Sequence, residues 1–88
     1  MESKYPLVII EALDWSWYEG ECDPRTHDFA PIAALVAGFL VADRDDCVVV
    51  CIDQFPATKR IRDMTTIPKS AIQRMHVIFL PEEWQDDA

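Results

Sequence analysis

The sequence predicts a mainly β domain, a small five-stranded barrel with a short helical turn before the last strand. Three observations carry this reading. Between Pro31 and Asp53 two apolar runs flank a charged break, Asp43-Arg44-Asp45-Asp46, which is a hairpin pattern. The second run, Cys47-Val48-Val49-Val50-Cys51-Ile52, is β-branched and too short for an ordinary helix. Apolar residues also alternate in Leu7 to Trp17 and in Arg74 to Leu80, as strands require.

Met1 to Lys4 is expected to fray, as chain ends do. In the first strand Leu7, Ile9, Leu13, Trp15 and Trp17 share one parity, while Val8, Ile10 and Ala12 hold the other. Apolar side chains on both faces predict a strand covered from two sides. Residues 18–30, YEGECDPRTHDFA, turn polar and carry the loop signals Gly20, Asp23-Pro24 and Thr26, so they are read as a rim loop.

The first run of the hairpin is Ala-rich, so helix competes there. Gly38 in its middle weakens a helix and suits a bend or a close backbone approach in a strand. Pro56 makes Gln54 to Met64 a poor interior strand, and this stretch is expected to loop, with a strand resuming at Thr65-Thr66-Ile67. Pro68 suits the first position of a helical turn over Lys69-Ser70-Ala71. Pro81 ends the last strand. The tail, residues 82–88, is acidic and expected to be mobile, with Trp84 the residue able to pack back.

Eighty-eight residues, half of them apolar, make one domain with a single core. A formal charge of −8 argues against unspecific nucleic-acid binding, which needs a basic surface to displace counterions, and suits a basic partner. No apolar run reaches the ~20 residues that span a bilayer, so no membrane partner is expected. Three cysteines, Cys22, Cys47 and Cys51, with no signal peptide ahead of them, predict a reduced chain in the cytoplasm. Cys47 and Cys51 share a strand face but lie about 13 Å apart at the strand rise, too far for a disulfide.

Five of the eight basic residues, Lys59, Arg60, Arg62, Lys69 and Arg74, fall within sixteen positions. Arginines and the backbone donors of a helix start, here Lys69-Ser70, suit a phosphate. Trp15, Trp17 and Tyr18 form an aromatic cluster able to stack a base. The acidic rim residues Glu19, Glu21, Asp23 and Asp28 form an alternative surface for a basic protein. With Cys22 and His27 they include metal-ligand types, but no zinc or calcium spacing is present, so neither metal nor cofactor is expected. Two glycines in the whole chain leave no Gly-rich phosphate loop, and no nucleophile has an assignable base, so the chain reads as a binding protein and not an enzyme.

The run Ile67-Pro68-Lys69-Ser70-Ala71-Ile72 resembles the Ile-Pro-Ser-Asn-Tyr-Val turn before the last strand of SH3 domains. Trp15, Gly38-Phe39-Leu40-Val41, Asp43 to Asp46 and Ile67 to Ile72 together resemble a group of small phage and prophage proteins. The resemblance implies an SH3-like or Sm-like barrel of mobile-element origin, and with it a host-cytoplasmic setting; the apolar side chains on both faces of the first and last strands predict subunit-to-subunit strand pairing and so a homo-oligomer. The resemblance is compatible with interference in host defence, by sequestering an anionic signalling nucleotide or by occupying a host protein. Ala71 stands where the SH3 turn has tyrosine, and no Trp pair follows the hairpin, so proline-rich peptide binding is not implied. The Sm-like alternative, RNA binding, needs the five basic residues on one face.

Overall fold

The computed structural model describes residues 4–14, 20–26 and 31–85. It contains five strands, β1 (Leu7–Asp14), β2 (Ile32–Asp43), β3 (Cys47–Phe55), β4 (Arg60–Pro68) and β5 (Ile72–Ile78). A 3-10 turn, Lys69–Ala71, links β4 to β5, and a helical turn, α1 (Glu82–Gln85), follows β5. The strands form one antiparallel sheet in the order β4-β3-β2-β1-β5. The mainly β expectation therefore holds. The edge strands β4 and β5 are not hydrogen-bonded to each other in this sheet. No helix among the described residues is long and apolar enough to cross a membrane.

The sheet curls around one core. Val8, Ile10 and Ala12 of β1 cluster with Val48 and Val50 of β3 and Ile67 of β4, and Val36, Leu40, Ile72 and Val77 complete the packing. Ile67 and Ile10 belong to strands three places apart in the sheet, so they meet only because the sheet bends over the core face. The expected cover on both faces of β1 is met on one face only, where Val8 and Ile10 are fully buried. The other parity, Leu7, Ile9 and Leu13, stays partly exposed.

The central hairpin is β2 and β3, closed at Arg44–Asp46 by the Arg44 N–H donating to the Cys47 carbonyl at 2.8 Å. Gly38 is where β3 comes closest. A Cβ built there would lie 2.7 Å from the Cys51 carbonyl oxygen, which only a residue without a side chain tolerates. The expected close approach is thus present. β2 pairs with β1 from Ile32 to Phe39, and with β3 only from Phe39 onward.

Several boundaries differ from expectation. Gln54 to Met64 is not a loop: β3 runs on to Phe55, residues 56–59 turn, and β4 begins at Arg60. Pro56 sits in the turn, where its missing donor costs no ladder bond. Asp63, at φ 60°, interrupts the ladder between Cys51↔Met64 and Asp53↔Arg62. β5 starts at Ile72 and stops at Ile78, two residues earlier than predicted at each end. Residues 82–85 of the tail form α1, with the Gln85 side-chain amide donating to the Leu80 carbonyl at 2.7 Å. Trp84 does not pack back and remains 58% exposed. The first strand ends at Asp14, and Trp15 and Trp17 lie outside the described residues.

The three thiols are free and differ in access: Cys22 is exposed, Cys47 half-buried and Cys51 buried. Desolvation pushes the Cys47 and Cys51 thiols up, which disfavours the reactive thiolate. An aromatic-disulfide titration is expected to label Cys22 at once. Cys47 and Cys51 should react only after denaturant is added, and three equally fast thiols in the native protein would contradict this burial.

Candidate functional site

The β3–β4 register builds the site. Phe55 faces Arg60 across the ladder, and Asp53 faces Arg62. Opposed residues share a sheet face, so these four side chains project together. The Arg62 Nε donates to Asp53 Oδ2 at 3.0 Å, and its guanidinium lies 5.3 Å from the centre of the Phe55 ring. Such a stack favours a fixed ring orientation.

The turn that follows is tight. The Phe55 carbonyl accepts from the Thr58 N–H at 3.1 Å and the Lys59 N–H at 2.8 Å. Lys59 takes a left-handed φ of 60°, an uncommon backbone state for a side-chain-bearing residue. That geometry brings Lys59 and Arg60 to the same end of the hairpin.

The N-terminal segment closes over this end. The Tyr5 N–H donates to Gln54 Oε1 at 2.9 Å, and Gln54 Nε2 donates to the Tyr5 carbonyl at 3.0 Å. A reciprocal pair of this kind ties the backbone of this segment to β3, beside the Leu40 N–H that donates to the Pro6 carbonyl at 2.8 Å. The result is a cleft of about 250 Å³ lined by Lys4, Tyr5, Gln54, Phe55, Pro56, Lys59 and Arg60. Among the described residues three cations and two aromatic rings line it, and no carboxylate does. Arg60 makes no ion pair among the described residues.

The sequence-predicted residues separate into groups. Lys59 and Arg60 line the cleft. Arg62 does not line it, but its guanidinium lies over the Phe55 ring. Lys69 and Ser70 lie just past the other end of the β3–β4 ladder, whose last residue, Pro68, is eight strand steps from Arg60, or about 26 Å at the strand rise. One chain therefore does not converge Arg60 and Lys69 on one anion. Lys69 is also occupied locally. Its N–H donates to the Asp46 carbonyl at 2.8 Å, and its ammonium lies 2.6 Å from Asp43 Oδ1. That hydrogen bond to Asp43 holds the Lys69 pKa above its ordinary value. Arg74 is paired with Glu11 at 3.3 Å on the far face of β1 and β5.

Of the acidic rim residues, Glu21 and Asp23 are exposed, while Glu19 and Asp28 lie outside the described residues. Asp23 accepts hydrogen bonds from the Arg25 N–H at 3.0 Å and from the guanidinium Nε and Nη2, both at 3.1 Å. Arg25 thereby holds the Asp23 carboxyl below its usual pKa and offsets its charge toward a partner. No group of three or more metal-ligating side chains is found among the described residues.

Comparison with family models, curated proteins and solved structures gives no match. The functional reading therefore rests on the cleft itself. Sequence reasoning missed Lys4 and Tyr5. Forty-nine residues separate Tyr5 from Gln54, and no periodicity in the chain signals their contact.

Proposed function

We propose that this chain is a non-enzymatic binding protein that takes an anionic small molecule with a planar ring, of the nucleotide class, at the Lys4–Tyr5–Phe55–Arg60 cleft. The observation that carries the reading is the lining: among the described residues, three cations and two aromatics without a carboxylate, in a chain of net charge −8. Guanidinium and ammonium groups take the phosphate, Arg60 through two parallel N–H donors. The Tyr5 and Phe55 rings supply stacking surface. The acidic remainder of the chain repels long polyanions, which favours a small ligand over RNA.

The same reading includes an SH3-like or Sm-like closure of the curled sheet, a homo-oligomeric state, and a phage-type role in which nucleotide sequestration counters host defence. Core residues shared by all the strands and the Tyr5–Gln54 tie between non-adjacent elements support closure. Calorimetry with a panel of cyclic and linear nucleotides tests the ligand class. One member is expected to bind, and Arg60→Ala is expected to weaken it about tenfold or more, the loss of a charge-assisted pair. Lys69→Ala, at the distant end, should leave affinity unchanged. A panel without heat would overturn the reading.

A further inference from the structure

The N-terminal half of β2 is an open sheet edge. Leu40 donates its N–H to the Pro6 carbonyl at 2.8 Å, on the β1 side. Backbone groups alternate sides along a strand, so Val36 and Ala34 also face β1. Ala33, Leu35 and Ala37 then direct their N–H and C=O groups the other way. β3 would lie there, but its pairing with β2 begins only at Phe39. Among the described residues no strand covers this edge.

The edge is apolar and uncharged. Residues 32–38 read IAALVAG, with Ile32 58% and Leu35 73% exposed. The adjoining Glu11 is neutralised by Arg74. Uncovered edges of this composition are what natural sheets avoid leaving to solvent. Ile9, which shares the outer face with Leu35, is 43% exposed as well, so the uncovered backbone edge continues into an uncovered apolar face. Among the described residues thirteen large hydrophobic side chains are exposed, Leu7 and Leu35 among them, against seven buried core residues.

We propose that a second copy of this chain pairs with this edge, antiparallel about a two-fold axis at Leu35. Leu35 then exchanges both backbone hydrogen bonds with Leu35 of the second copy, and Ala33 pairs with its Ala37. The two sheets join into one, and the two Leu35 side chains meet on the outer face beside the groove of Ile9, Met75 and His76. Two copies at −8 each repel elsewhere on their surfaces, so an uncharged strand is where they can approach. A two-fold contact closes on itself and does not propagate into fibres. This deepens the oligomeric part of the proposed function and is independent of the ligand part, which calorimetry reads separately.

Sedimentation equilibrium of the full chain tests it. The expected mass is twice 10.1 kDa at micromolar concentration. Leu35→Lys, at an exposed position, and Ala33→Pro, which removes a donor only on the open side, are each expected to return the monomer with an unchanged circular-dichroism spectrum. Register is checked in a Cys22→Ser background. Leu35→Cys should form a disulfide-linked dimer under mild oxidation, because directly opposed residues lie about 5.5 Å apart. Ala33→Cys alone should not, since its two copies are offset by about 13 Å. A monomeric wild type, or a dimer indifferent to both substitutions and to the position of the cysteine, would overturn the proposal.

Discussion

Gly38→Val is expected to abolish or nearly abolish folding. The new Cβ would meet the Cys51 carbonyl oxygen at 2.7 Å and the Val50 Cβ at 3.6 Å. The first neighbour is backbone, held in the β2–β3 ladder by the Phe39↔Cys51 pair, so it has no rotamer to yield. Overpacking of this kind costs about 3 kcal/mol, against a total of about 4–13 kcal/mol for a chain of this length. In urea the midpoint should fall by about 2–3 M, or the cooperative transition should vanish. Gly20→Ala is the control. Nothing lies within 4 Å of its added Cβ, but Gly20 holds φ at +103°, so only backbone strain of about 1–2 kcal/mol is expected. An unchanged midpoint for Gly38→Val would mean that β3 does not pass as close as described.

Ile10→Ala carries the second large effect. Ile10 is fully buried in a cluster that has six buried members among the described residues. Truncation removes transfer energy and leaves a cavity, for a loss of about 2–5 kcal/mol. Few other contacts remain to share the load, so the upper part of that range is expected. Ile52→Ala, at a residue 64% exposed, should cost about 0.5 kcal/mol or less. Equal losses at the two sites, measured by denaturant midpoint, would contradict the assignment of the core to the Val8–Ile10–Val50 face.

The hairpin was legible because two signals agreed. Val48 and Val50 alternate on a β-branched run, and Asp43 to Asp46 supply the turn. Gly38 was legible for the same reason, since a glycine inside an apolar strand pattern has few uses other than close approach. β4 was misread because its first half lies at the sheet edge. Arg60, Arg62 and Asp63 are exposed there, and an edge strand with charged side chains has no apolar alternation to detect. The cleft was half visible. Lys59 and Arg60 stand out by charge, but Lys4 and Tyr5 reach them through the Gln54 side chain across a long sequence separation. The dispersal of Arg62, Lys69 and Arg74 onto Asp53, Asp43 and Glu11 was equally hidden, because ion-pair partners follow from register.

The central functional claim is that an anion enters between the N-terminal segment and the β3–β4 turn. The most direct measurement is a two-dimensional amide NMR titration of the full chain with the nucleotide that calorimetry selects. The account predicts shift changes confined to residues 4–5 and 54–60, with the Lys69–Ala71 turn unmoved. Changes centred on Lys69 and Ser70, or none in the cleft at saturating ligand, would contradict it.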